Sequence, residues 1–110
     1  MTARHEIPPG TLDLLILRTL SRTEPLHGFE IAESIALTSG EVFQVEEGSL
    51  YPALQRMLLK GFLKGEWGRT SENRRARYYR LTVAGRKHLE RELAQYAMTS
   101  SAIARILSPA

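Results

Sequence analysis

Gly48-Ser49-Leu50-Tyr51-Pro52-Ala53-Leu54-Gln55-Arg56-Met57-Leu58 is the stretch that decides how this chain folds. Ser49 suits an N-cap. Pro52 then falls in the first turn, where a missing N–H costs nothing because no intrahelical acceptor exists there. Leu50, Leu54, Met57 and Leu58 recur at helical spacing and predict a core face. Tyr51, Pro52, Gln55 and Arg56 fall towards the opposite side, so the helix pairs an apolar face with a polar, hydroxyl-bearing one. Lys60-Gly61 ends it, a cation followed by the glycine that C-termini favour.

Downstream, Phe62 to Trp67 and Ala76 to Leu81 place apolar and aromatic residues at alternate positions and predict two strands. Between them Gly68 to Arg75 is rich in glycine, serine, asparagine and threonine, as an exposed loop requires. Thr82 caps a final helix running to about Leu107. In it Leu89, Leu93, Tyr96, Ser100, Ile103 and Leu107 follow a 4-3-4-3-4 spacing, a coiled-coil type of seam longer than one small core needs. Ser100 is its weak point.

Upstream, Pro8-Pro9-Gly10 leads into a helix from Thr11, its cap, to about Arg22. Leu12, Leu15 and Ile16 take one face and Leu14, Leu17 and Leu20 another, so this helix is apolar nearly all round and buried on more than one side. Thr23-Glu24-Pro25 breaks it. A second helix spans His27 to about Leu37, and Phe43-Gln44-Val45 alternates as a short strand would. Three helices, a hairpin and a helix are the order of a winged helix-turn-helix, a mainly α fold with a small β part. The expected division is a flexible segment over residues 1–9, a winged helix-turn-helix over 10–82 and a dimerisation helix over 83–110.

The net charge of +3 conceals an uneven distribution. Residues 1–59 carry four Lys and Arg against eight Asp and Glu, whereas residues 60–91 carry ten against three. A polyanion partner for the later half follows from that asymmetry, and a merely solvated basic hairpin is the alternative. The chain has no cysteine, which rules out disulfides, thiolate metal sites and thiol chemistry. Its longest apolar run, Leu14 to Leu17, is far below the roughly 20 residues of a membrane-spanning helix. With no secretory signal visible at the N-terminus, a cytoplasmic protein is expected.

Duplex DNA recognition needs a helix that enters a groove and cations that meet phosphate. Ser49 and Tyr51 are placed to hold a phosphate at the start of the third helix, with Pro52 and Arg56 beside them. Gln55 can read a base edge, for instance adenine in a bidentate mode. Arg74, Arg75 and Arg77 line the wing, where the planar guanidinium suits phosphate or a narrow minor groove; Lys64 on the first strand can touch the backbone. His27 and Gly28 open the second helix, whose N–H groups can also meet phosphate. Each has a plainer reading: Ser49 as cap, Tyr51 as packing, His27 as cap, the arginines as a solvated loop. Arg80 and Arg86 pair with Glu90 or stay in solvent. Trp67 and Tyr79 read as core or wing anchors. Leu12, Leu15 and Ile16 on the first helix, with Leu89, Leu93, Tyr96, Ile103 and Leu107 on the last, are the candidate dimer interface.

Gly10-Thr11-Leu12, His27-Gly28-Phe29-Glu30-Ile31, Gly48-Ser49-Leu50-Tyr51-Pro52-Ala53-Leu54, Gly61-Phe62-Leu63 and Arg77-Tyr78-Tyr79-Arg80-Leu81-Thr82 occur in the order and spacing of one family. From about Gly10 to Leu93 the chain resembles the PadR family of transcriptional regulators, and the Gly-Ser-Leu-Tyr-Pro-Ala-Leu block is the specific part. The resemblance implies a homodimeric DNA-binding protein, usually a repressor that leaves a pseudo-palindromic operator when an effector binds. It matches members with a short tail, whose single C-terminal helix dimerises with the first helix. The phenolic-acid responses of longer members do not carry over. A small hydrophobic effector facing Tyr96 and Met98 in a dimer cavity, as in some relatives, is a candidate partner, though packing is the commoner role for such residues.

Two other classes of function make different demands on the sequence. A winged helix that binds protein predicts an apolar rather than cationic recognition face. An enzyme needs an acid, a base and a nucleophile to converge. Asp13 and the scattered His5, His27 and His88 do not, so neither catalysis nor a metal or cofactor is expected.

Overall fold

A computed structural model describes residues 5–109 of the chain. Its order is α1 (Leu12–Arg22), β1 (Leu26–His27), α2 (Gly28–Thr38), α3 (Glu47–Leu59), β2 (Leu63–Arg69), β3 (Arg75–Leu81) and α4 (Val83–Leu107). The strands form an antiparallel sheet in the order β1-β3-β2. Its register runs from Leu63 opposite Leu81 to Arg69 opposite Arg75 on one side of β3, with Leu26 opposite Tyr79 on the other. This is a winged helix-turn-helix: α2 and α3 form the motif, and β2–β3 is the wing.

The core gathers one stripe from each element. Ile16, Leu17 and Leu20 of α1, Ile31 and Ile35 of α2, and Leu50, Ala53, Leu54 and Met57 of α3 are buried. Leu63, Tyr79, Leu81 and Leu89 close it from the sheet and from α4. Leu12, Leu14 and Leu15 are only partly buried against it, so α1 keeps apolar surface on a second side. Leu58, expected in the core, is likewise half-buried.

Several local expectations need correction. The third helix begins two residues before Ser49, with Glu46 as N-cap and Glu47 in the first turn. Carboxylates at a helix start are favoured by the exposed N–H groups and the dipole, and here they displace serine from the cap. Ser49 donates its N–H to the Glu46 carbonyl at 3.0 Å. Pro52 therefore lies inside the helix rather than in its first turn, and the Gly48 carbonyl loses its intrahelical donor. Thr11 is the N-cap of α1, but its hydroxyl turns back to the Pro8 carbonyl at 2.6 Å. Phe43 to Val45 forms no strand; Phe43 makes a single bridge to His5, and the third strand comes instead from Leu26 and His27. Of the N-terminal segment, Met1 to Arg4 lie outside the described residues, while the His5 N–H donates to the Val42 carbonyl at 2.7 Å.

The junction of wing and α4 forms as the sequence predicts. Thr82 is the N-cap: its hydroxyl accepts from the Gly85 N–H at 3.0 Å and donates to the Gly61 carbonyl at 2.6 Å. A side chain at position 85 would put its Cβ 2.0 Å from the Phe62 carbonyl oxygen, so glycine lets α4 start flush against the base of the hairpin. Glu24 adds a clamp from the α1–β1 turn. One carboxylate oxygen accepts from the Leu81 N–H at 2.8 Å and the other pairs with Arg86, which places Arg86 away from Glu90.

Candidate nucleic-acid interface

The solvent side of α3 carries Ser49, Tyr51, Pro52, Gln55 and Arg56, all exposed. Their opposite number is the buried stripe of Leu50, Ala53, Leu54 and Met57, so the polar face is presented because the apolar one is consumed by the core. Arg56 is not fully free. Its guanidinium donates to the Asp13 carboxylate of α1 at 3.0 Å, while staying about half exposed. Ser49 and Gln55 have open side chains. The Tyr51 hydroxyl leans across to α2, where a Cβ on Gly28 would lie 2.8 Å from it.

Alternation sorts the wing into two faces. Trp67 and Arg69 of β2 stand with Arg75, Arg77 and Tyr79 of β3, each directly across the ladder or one step along it. Lys64, Glu66, Tyr78 and Arg80 occupy the other face. Lys64, read in the sequence as a backbone contact on the first strand, thus stands beside Arg80 on the far side from Arg75 and Arg77. Arg80 is engaged with Glu66 at 3.8 Å. Arg74 lies in the turn, highly exposed, within 3.9 Å of Glu72. Arg69 reaches the tip, donating to the Asn73 carbonyl at 3.2 Å.

The arginine face of the wing and the N-terminal end of α2 enclose a cleft of about 400 Å³. His27, Gly28 and Phe29 form one wall, Tyr51 another, and Trp67, Arg75 and Arg77 the third, with no carboxylate in the lining. His27 is largely spent on structure: its N–H donates to the Glu30 carboxylate at 3.1 Å and its ring meets Tyr78 edge-on at 5.3 Å. Tyr79 closes the floor. Burial pushes its phenol above the usual range, Arg77 pulls it back in part, and Tyr51 adds a smaller upward push. Trp67 is 61% exposed and is no core anchor. The Arg75 guanidinium lies 4.3 Å from its ring centroid and that of Arg77 5.9 Å.

The residues read as a dimer contact divide in two. Ile16 and Leu89 are buried in the subunit's own core and offer no surface to a partner, which corrects their assignment. Leu12, Leu15 and Leu93 are half-buried; Tyr96, Ile103 and Leu107 stand in solvent together with Met98 and Ile106. Three residues of the cationic surface were missed in the sequence: Phe29, Arg69 and Trp67. Arg69 shares the strand face of Arg75 and Arg77 and could have been found by pairing the two strands, whereas for Trp67 the same parity points to the buried Leu63.

A groove-sized helix beside an arginine-faced hairpin defines a helix-turn-helix protein of the winged class. The chain matches the Transcriptional regulator PadR-like family over residues 16–91, and it belongs to that family of DNA-binding transcriptional regulators. A transcriptional regulator from Clostridium thermocellum superposes with a TM-score of 0.81 at 27% identity, covering 90% of this chain and 95% of that one. A PadR-like transcriptional regulator from Bacillus cereus gives 0.77 at 28% identity, with 92% and 95% covered. A Lysinibacillus sphaericus protein is 31% identical over 94 residues, 86% of this chain and 85% of its own length. No helix among the described residues is long and apolar enough to cross a membrane, and none of their His, Asp or Glu side chains cluster in threes to hold a metal ion.

Proposed function

We propose that the protein is a homodimeric repressor, acting in the cytoplasm, that binds a pseudo-palindromic operator sequence-specifically. The observation that carries this reading is the cationic surface beside α3, where Tyr51 lines a carboxylate-free cleft holding Arg75 and Arg77 and Gln55 stands exposed one turn along the same helix. Gln55 is the base reader. Ser49, Tyr51, Pro52, Gly28, His27 and the wing residues Arg69, Arg74, Arg75 and Arg77 position the duplex, with Arg56 and Lys64 as outlying backbone contacts.

The two-fold partner is supported by α4. Its distal half exposes Tyr96, Met98, Ile103, Ile106 and Leu107, and the radius of gyration of 15.3 Å exceeds the about 13 Å of a compact chain of this size. An isologous pair of such helices, packed on the partly open face of α1 at Leu12 and Leu15, sets two recognition helices against half-sites about one helical turn, ~34 Å, apart. A small hydrophobic effector lodged between the paired helices near Tyr96 and Met98 releases the operator.

The test is titration of the purified chain against its own upstream promoter and against a scrambled duplex, across a salt series. Tight promoter binding with a steep loss as salt rises is the expected result. Weak, equal and salt-insensitive retention of both duplexes overturns the reading.

A further inference from the structure

The wing carries the chain's only tryptophan, and neither the core nor base reading accounts for it. Trp67 holds its indole out in solvent with the Arg75 guanidinium stacked 4.3 Å above it. Beneath, Arg77 crosses the strand where Gly65 leaves room: a Cβ there would sit 2.4 Å from the Arg77 Nε. That Nε is shut off from solvent and has no hydrogen-bond partner among the described residues, an orphaned donor of a kind rare in folded proteins. Neither Arg75 nor Arg77 is paired with a carboxylate among the described residues, and none lines the cleft they face. The Tyr51 hydroxyl supplies a third donor from α3 across the same cleft.

Two unpaired guanidinium forks and a phenol, converging on a cleft without negative charge, suit a tetrahedral anion that accepts from several directions. We propose that this cleft seats one phosphodiester of the duplex, and that Trp67 is the positioning residue that keeps Arg75 and Arg77 around it. A flat indole costs the arginine little hydration and removes the freedom it would otherwise lose on binding. Because one wall belongs to the wing and the others to α2 and α3, the seated phosphate ties the hairpin to the helix-turn-helix. The inference rests on the DNA-binding reading above.

The experiment is a double-mutant cycle on duplex affinity, with Trp67→Leu, Arg75→Gln and the pair, on promoter and scrambled DNA alike. Trp67→Leu, which removes no charge, weakens both duplexes by the same factor, roughly tenfold, with an unchanged unfolding midpoint. Trp67→Phe restores most of the loss. Arg75→Gln makes the salt slope shallower by about 1 and, in the Trp67→Leu background, costs almost nothing further. In the wild type, where Trp67 is the only tryptophan, its selectively excited emission shifts on adding either duplex. Additive losses, or a Trp67→Leu chain with full affinity, overturn the seat while leaving the DNA reading intact. Unchanged Trp67 emission at saturating duplex does the same, even if a variant fails to fold. A wild type that ignores both duplexes removes the DNA reading and the seat together.

Discussion

The two halves of α4 carry similar apolar side chains and meet opposite fates. Leu89 is 4% exposed, gripped by the core, whereas Ile103, on the same helix and the same stripe, is 51% exposed and Ile106 80%. Nothing in local sequence distinguishes them. The difference is what lies alongside: α1 and the sheet cover the first half, and the globular body ends before the second. Burial of an apolar residue is therefore a property of neighbours, and the uncovered half is the surface that the proposed two-fold partner would cover.

The comparison can be broken most forcefully from its buried side. Leu89→Ala, at a position 4% exposed, should cost about 2–5 kcal/mol in denaturant unfolding, enough to threaten a domain of this size. On the exposed side, Ile103→Glu should leave the unfolding of the body nearly intact. It should nonetheless give a monomer by sedimentation and weaken operator binding by roughly 100-fold, the loss of linked half-sites. If the variant still sediments as a dimer, the distal half of α4 packs elsewhere. Gln55→Ala should sharpen the contrast between holding and reading, losing ~1–3 kcal/mol of discrimination at one base pair while the footprint stays in place. The smallest effect belongs to a half-exposed ion pair: Asp13→Asn releases Arg56 and should change stability by less than about 1 kcal/mol, with the effect fading in salt.

Much of this architecture was legible because helical periodicity and glycine–proline punctuation are local signals. The C-terminal extents of α1, α3 and α4, and the Thr82 cap, follow from residues within one or two turns. What was not legible depended on competition or on distance. Ser49 is a good cap, but Glu46 and Glu47, three and two residues earlier, are favoured by the same unpaired N–H groups. A two-residue strand such as Leu26–His27 has no pattern to read. Trp67 misled for an instructive reason: it shares its strand face with Leu63, which is 3% exposed. Parity therefore points it at the core, but the hairpin outruns the helices beneath it, and the inward face becomes an outward one. The same overrun delivers Arg69, Arg75 and Arg77 to the surface.

The fastening of α4 to the hairpin has a mechanical corollary. Thr82, Gly85 and the Glu24–Arg86 clamp leave no slack where the helix meets the wing. A rod of 25 residues anchored in this way is about 37 Å long, so a tilt of ~5° at its free end carries the anchored end through about 3 Å. In a two-fold pair the displacement doubles, an appreciable fraction of the pitch of the duplex. In the proposed dimer, the crossing angle of the two α4 helices would then be the adjustment that brings two reading heads into or out of step with DNA.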